Sequence, residues 1–196
     1  MRFQHRSAII AAGVFAVAAC GGGDETAAQV EVQSQAHVAA VNAERLVNAD
    51  AEPGQWMSHG RDYSEQRFSP LAEITTENVD ELGLAWFADY DTNRGQEATP
   101  LYVDGVLYVS TAWSRVYAYD ARTGEQLWRF NPMVPGEKGR DACCDVVNRG
   151  AAAWDGKIFV GTIDGRLITI FTREDREPDA RPNPNGIGNL HHIAFI

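Results

Sequence analysis

An internal repeat with a period of 51 residues constrains the fold of this chain more than any other feature. Residues 104–111 read DGVLYVST, and residues 155–162 read DGKIFVGT. The same shift aligns residues 115–119 (RVYAY) with residues 166–170 (RLITI). Each unit combines an Asp-Gly pair, which favours a tight hairpin turn, with β-branched and aromatic residues, which favour strands. Repeats of about 40–50 residues with this content indicate the blades of a β-propeller.

The repeat predicts an all-β chain with an incomplete propeller. A single blade cannot bury both faces of its sheet, and a closed propeller needs about four blades or more. We therefore expect residues 54–170 to form only part of a propeller. The repeat register fails after Ile170, because the Asp-x-x-Thr-Gly turn of residues 120–124 does not recur one period later. We interpret residues 171–196 as a divergent tail, disordered or read out of frame after a frameshift. A natural divergent loop is the alternative, and DNA sequence beyond codon 171 would decide between them.

The N-terminus is typical of an exported lipoprotein. Arg2 and Arg6 precede an apolar run over residues 7–19, which is shorter than the roughly 20 residues that a membrane-spanning helix needs. The run ends in Val-Ala-Ala-Cys, which is similar to the bacterial lipobox. We expect residues 1–19 to be a signal peptide and Cys20 to be lipid-modified. An ordinary signal peptide with a coincidental cysteine is the alternative.

The predicted export determines the environment of the mature chain. Residues 20–53 are rich in Gly, Ala, Gln, Glu and Val, a composition that predicts a flexible tether. We expect the protein on the periplasmic side of the bacterial envelope, anchored to a membrane by lipid. Disulfides persist in that compartment.

The charge of the chain argues against nucleic acid as a partner. Its 17 Lys and Arg residues face 27 Asp and Glu residues, for a formal net charge of −10. An acidic protein repels the phosphate backbone, so we expect no nucleic-acid binding.

Two adjacent cysteines, Cys143 and Cys144, form the most informative local motif. Neighbouring Cα atoms lie about 3.8 Å apart, closer than the roughly 4.4–6.8 Å of ordinary disulfides. A bond between them would close a small rigid ring that adds little stability, since it closes almost no loop. A flat, polarizable sulfur surface for a planar ligand explains such a ring better. Two unbonded thiols are the alternative.

Three segments of the chain resemble the quinoprotein alcohol dehydrogenases, the methanol and ethanol dehydrogenase family that uses pyrroloquinoline quinone (PQQ). They are residues 60–86 (GRDYSEQRFSPLAEITTENVDELGLAW), residues 94–111 (RGQEATPLYVDGVLYVST) and residues 142–150 (ACCDVVNRG). The resemblance implies an eight-bladed β-propeller, of which residues 54–170 would be N-terminal blades.

The resemblance also implies roles for four residues. Cys143 and Cys144 match a vicinal disulfide that stacks on one face of the quinone. Glu97 matches a carboxylate at the edge of the cofactor, and Arg149 matches a cation that pairs with the cofactor's carboxylates. The planar donors of Arg suit carboxylates well. We assign no catalytic and no metal-binding residue, because the family's catalytic aspartate and calcium ligands lie further along the chain than this sequence extends.

Two functions from different classes stay open. The first is the N-terminal part of a periplasmic alcohol dehydrogenase that depends on PQQ and calcium. It would oxidise a primary alcohol to an aldehyde and pass electrons to a cytochrome c-type acceptor, and we expect this part to be inactive alone. The second is a non-enzymatic propeller lipoprotein that acts as a scaffold of the bacterial envelope. Glu97, Arg149 and the cysteine pair favour the enzyme, because a scaffold has no use for them.

Overall fold

The computed structural model describes residues 38–172 and 193–195. The predicted signal peptide (residues 1–19) and Cys20 lie outside this part of the chain. In the described residues the secondary structure consists mainly of short strands, with one α-helix, α1 (Ala43–Val47), and several single turns of 3-10 helix. The predicted all-β class is thereby confirmed. No helix within these ranges is long and apolar enough to span a bilayer.

The first repeat folds into a four-stranded antiparallel sheet with the strands in chain order. Its strands are β1 (Leu101–Val103), β2 (Val106–Ser110), β3 (Val116–Asp120) and β4 (Gln126–Phe130). Val103 pairs with Val106, so the β1–β2 turn consists of Asp104 and Gly105 alone. Both have left-handed φ angles, +50° and +87°, as a two-residue turn that matches the strand twist requires. The predicted Asp-Gly hairpin is confirmed.

The second repeat builds another sheet from the same plan. After the separate short strand β5 (Cys143–Val146) come β6 (Ala152–Trp154), β7 (Lys157–Gly161), β8 (Leu167–Phe171) and β9 (Ile193–Phe195), again in chain order. The bounds of β6, β7 and β8 lie 51 residues after those of β1, β2 and β3. The period of the sequence repeat is therefore also the period of these strands, because turn chemistry and strand propensity are local properties.

The described part of the tail differs from the predicted divergent segment. β8 continues through Phe171, one residue beyond the predicted end of the repeat. Ile193–Phe195 then pairs with β8 in antiparallel register. The unpaired edge of β8 carries backbone donors and acceptors that a further strand satisfies. The prediction of disorder is therefore wrong for Ile193–Phe195. The frameshift remains a hypothesis. Residues 173–192 and 196 lie outside the described part of the chain.

The segment before the first sheet is packed against both repeats. Ala39 and Val41 have no exposed surface, and their carbonyls accept hydrogen bonds from the β6–β7 turn, from Gly156 N at 2.9 Å and Asp155 N at 2.8 Å. Trp56 pairs with Tyr102 of β1. These contacts correct the prediction of a flexible tether for residues 38–53, because buried apolar groups and backbone hydrogen bonds order this stretch.

One apolar core is shared by the two sheets. It contains residues from β1 to β4, from β6 to β8 and from the N-terminal segment. The largest members with almost no exposed surface are Tyr108, Phe130, Met57, Leu101, Ile158, Ile168 and Ile170. Trp128 packs at its margin, with its ring 5.9 Å from that of Tyr108. Both β2 and β7 contribute residues to this core. The candidate site lies near their last residues, Ser110 and Gly161.

Candidate functional site

The cysteine pair opens strand β5 (Cys143–Val146) on the surface of the protein. Both are exposed free cysteines, and their Sγ atoms lie 2.8 Å apart. Behind them, Val146 is buried. A methyl group added at Gly139 would come within 3.1 Å of both Trp113 and Val146, so these residues are closely packed. The two sulfur atoms therefore lie side by side at the surface. A disulfide bond between them remains a prediction.

Glu97 and Arg149 form an ion pair, although they lie far apart in the sequence. Arg149 Nη2 lies 3.2 Å from Glu97 Oε2, and the two side chains are 69% and 44% exposed. The backbone brings them together: Thr99 and Gly150 form a parallel β-bridge, and Thr99 N donates to Arg149 O at 3.4 Å. The exposed guanidinium keeps donors available for an anionic ligand.

The electrostatics of Cys144 connect the cysteine pair to this ion pair. The hydrogen bond with Cys143 and the charge of Cys143 raise the pKa of the Cys144 thiol; the positive charge of Arg149 acts to lower that pKa, and Glu97 acts to raise it. All four predicted residues therefore belong to one electrostatic neighbourhood. A thiol whose pKa is raised is a poor nucleophile. The arrangement thus favours a contact surface for a ligand over nucleophilic catalysis by cysteine.

A second ion pair borders the cysteines. Arg94 Nη1 lies 3.2 Å from Asp145 Oδ1, and both side chains are exposed. Asp145 directly follows Cys144 and has a left-handed φ of +65°. A positive φ is uncommon for a residue with a side chain, and aspartate tolerates it better than most residues do. Arg94 and Asp145 are not among the predicted site residues, although both lie inside the sequence motifs.

The polar residues beneath the site are likewise absent from the residues predicted from sequence. Asn148 and Gln96 anchor the segments that carry Arg149 and Glu97, and both bond to Ser110 at the end of β2. The one available signal was their position directly before Arg149 and Glu97 within the motifs. Among the described residues, no three His, Cys, Asp or Glu side chains converge as a metal site would need.

The chain is similar to a known protein family over more than half of its length. Residues 56–174 match the family described as "PQQ: Glucose/ethanol/alcohol dehydrogenase, beta-propeller domain". The chain is 57% identical over 127 residues to "Alcohol dehydrogenase (quinone), dehydrogenase subunit" of Komagataeibacter europaeus, which covers 65% of this chain and 17% of that protein. It is 55% identical over 123 residues to "1-butanol dehydrogenase (cytochrome c)" of Thauera butanivorans, covering 63% of this chain and 18% of the relative.

The fold agrees with a solved structure of the same kind. The quinohemoprotein alcohol dehydrogenase ADHIIG from Pseudomonas putida HK5 superposes with a TM-score of 0.66 and 47% identity, over 72% of this chain and 22% of that chain. The chain therefore spans less than a quarter of the length of these relatives.

The matched proteins favour the enzyme over the scaffold. The three proteins are all named as alcohol or butanol dehydrogenases, so they give no support to a scaffold lipoprotein. The propeller prediction is confirmed, because the matched family is a β-propeller domain and the match covers both repeats. With more than half of its residues inside that match, the chain belongs to the PQQ-dependent alcohol dehydrogenase β-propeller family.

Proposed function

We propose that this chain supplies a quinone-binding part of an eight-bladed, PQQ-dependent alcohol dehydrogenase. The complete enzyme would oxidise a primary alcohol to an aldehyde and pass the electrons to a cytochrome c-type acceptor. The names of the relatives, which include a quinone-type and a cytochrome c-type dehydrogenase, support this assignment. The observation that carries it is the pair of exposed cysteine sulfurs beside the Glu97–Arg149 ion pair.

The chemistry of these side chains fits PQQ, which is a planar molecule with several carboxylates. Two adjacent sulfur atoms offer a polarizable surface to one face of a planar ring. Arg149 offers planar paired donors that match carboxylates, and its side chain is 69% exposed. Glu97 orients Arg149 or accepts a hydrogen bond from an N–H of the ligand. The residues present therefore fit the cofactor.

The roles of the chain's own residues follow from this fit. When bound, PQQ supplies the acceptor for the two electrons of alcohol oxidation. Cys143 and Cys144 would pack against the ring, Arg149 would hold the carboxylates, and Glu97 would keep Arg149 in place. We also propose a calcium ion in the complete enzyme, and we assign to this chain neither a ligand for that ion nor a catalytic residue.

We further propose that the protein is exported and anchored by lipid at Cys20, on the periplasmic side of a membrane. The oxidising environment there would allow the Cys143–Cys144 disulfide. Mass spectrometry of the protein from its native membrane is expected to give a first residue at Cys20 with an added acyl mass. The Cys20→Ala variant is expected to lack that mass, and an unmodified mature wild-type protein would contradict the proposal.

Quinone titration tests the cysteine contact. We expect Cys143→Ala to weaken PQQ binding by about 2–10-fold, since loss of one ring-stacking contact costs roughly 0.5–1.5 kcal/mol. Tryptophan fluorescence during the titration gives the dissociation constant. We measure binding and not alcohol oxidation, because the chain covers only 17% of a relative such as the Komagataeibacter subunit. We assign no catalytic residue to this part.

Three controls distinguish a disulfide ring from two separate thiols. If the ring is the contact, Cys143→Ala, Cys144→Ala and the double variant lose the same affinity, and reduction of the wild-type chain reproduces that loss. If the two thiols act separately, the losses add. An unchanged titration in all the variants would refute the role of the sulfur surface.

A further inference from the structure

Asn148 uses the full hydrogen-bonding capacity of its side-chain amide. Its Oδ1 accepts from Ser110 Oγ at 2.6 Å and from Gly150 N at 3.0 Å. Its Nδ2 donates to Gly161 O at 3.0 Å and to Ser114 Oγ at 3.3 Å. An amide offers two acceptor and two donor positions, so all four are occupied. The Gly150 N–H and the Gly161 carbonyl also determine which end of the amide is oxygen and which is nitrogen.

The partners of Asn148 come from both sheets. Ser110 ends β2 and Ser114 precedes β3, and both are buried, with exposures of 1% and 0%. Gly161 is the last residue of β7, the strand that repeats β2 in the second sheet. A single side chain thus bridges equivalent strand ends of the two blades. The Ser110 and Ser114 side chains need these bonds most, because a buried polar group left without a partner costs about 1–3 kcal/mol.

The same amide also shapes the backbone of Arg149. The bond from Gly150 N to Asn148 Oδ1 closes an Asx turn that has Arg149 at its centre. The turn continues into Gly150, whose φ of +142° is a conformation that favours glycine. Thr99 N donates to the Arg149 carbonyl, which belongs to the same peptide group as the Gly150 N–H. The peptide group between Arg149 and Gly150 is therefore held at both its N–H and its carbonyl, while the Arg149 side chain is exposed.

Glu97, the partner of Arg149, is anchored at the same place. Gln96 Nε2 donates to the carbonyl of Ser110 at 2.8 Å, and the Ser110 hydroxyl donates to Asn148. Both halves of the ion pair are thus attached to one strand end, where a shift of Asn148 would move them relative to each other.

We infer that Asn148 is a positioning residue, which sets the place of the Arg149 guanidinium relative to Glu97, the cysteine pair and the bound ligand. The ligand part of this inference rests on the proposed function, whereas the placement of Arg149 does not. A merely structural bridge between the blades would affect stability and leave the environment of the cysteines unchanged. The two roles therefore differ in what they do to Cys144.

The titration of the cysteine thiols measures the placement of Arg149 without any quinone. Cys144 is influenced by Cys143, Arg149 and Glu97, and the Arg94–Asp145 ion pair borders it. If Arg149 moves away, its lowering effect on the pKa of Cys144 is lost. In the reduced chain, Asn148→Ala is therefore expected to shift the pH profile of thiol alkylation upward by about 0.2–0.7 pH unit, the size of a screened interaction between exposed charges.

A double-variant comparison identifies the route of this effect. Arg149→Gln is expected to shift the profile in the same direction, and adding Asn148→Ala to it is expected to cause no further shift. Arg166→Met is the control for a bridge between the repeats, because Arg166 Nη2 donates to Pro132 O at 2.8 Å. This control is expected to lower the melting temperature and to leave the alkylation profile unchanged.

Several results would overturn the inference. It fails if Asn148→Ala leaves the profile unchanged while Arg149→Gln shifts it, if the two shifts add, or if Arg166→Met shifts it as much. If Asn148→Ala does not fold, the same comparison is made with Asn148→Ser, whose hydroxyl can still accept from Gly150 N. Failure of the wild-type chain to bind PQQ would refute the proposed function and would leave this thiol test fully decisive.

Discussion

Replacing Arg149 with glutamine is expected to weaken PQQ binding by about 10–100-fold. A hydrogen bond to a charged group contributes about 1.5–3 kcal/mol, and each 1.4 kcal/mol corresponds to about tenfold in affinity. The substitution removes the guanidinium that would face the ligand's carboxylates, and it deprives Glu97 of its cation at 3.2 Å. The remaining carboxylate would then repel an anionic ligand. Fluorescence titration of the wild-type and variant chains with PQQ measures the change.

Two matched variants show whether the position or only the charge of Arg149 matters. Arg122→Gln removes the same charge from the turn after β3, at the opposite end of the first sheet from Ser110, and is expected to bind PQQ like the wild type. Arg149→Lys keeps the charge but loses the planar paired donors, so its affinity is expected to lie between those of wild type and Arg149→Gln. Equal losses in Arg122→Gln and Arg149→Gln would refute a specific contact.

Replacing Ile158 with alanine is expected to lower the free energy of unfolding by about 3 kcal/mol, within the usual range for such core truncations. Ile158 lies in the middle of the second sheet with no exposed surface. Its register neighbours are Ala153 on β6 and Ile170 on β8, and all three belong to the core shared by the two sheets. The cavity would therefore loosen both sheets at once. Equilibrium urea denaturation measures the difference.

Leu167→Ala is the matched control for this prediction. It removes the same number of carbon atoms from the neighbouring strand β8, but the Leu167 side chain is 42% exposed. Because less apolar surface is lost from the interior, we expect a destabilisation below about 1 kcal/mol. Similar losses in the two variants would contradict the burial pattern of the second sheet.

The sequence predicts the framework of the fold well, for a physical reason. The strands β2 and β7 and the turns that precede them follow from Asp-Gly pairs and β-branched runs repeated at 51 residues. These preferences act over a few residues and need no distant partner. The predicted limits of the ordered chain were less accurate: Ala39 and Val41 are buried, and Ile193–Phe195 forms a strand. Both depend on an edge or a core supplied by distant residues, which local composition does not reveal.

In the candidate site, too, some features can be predicted from the sequence and others exist only in the folded chain. Cys143 and Cys144 are neighbours in the chain, so their proximity is covalent and readable from the residues alone. Glu97 and Arg149 were singled out through resemblance to a family, and their ion pair exists because the Thr99–Gly150 bridge joins two distant segments. The role of Asn148 is readable only in the folded chain. Gly150 is a local partner, but Ser110, Ser114 and Gly161 lie 38, 34 and 13 residues from Asn148. The packing of two blades against one core brings these three within reach of one amide.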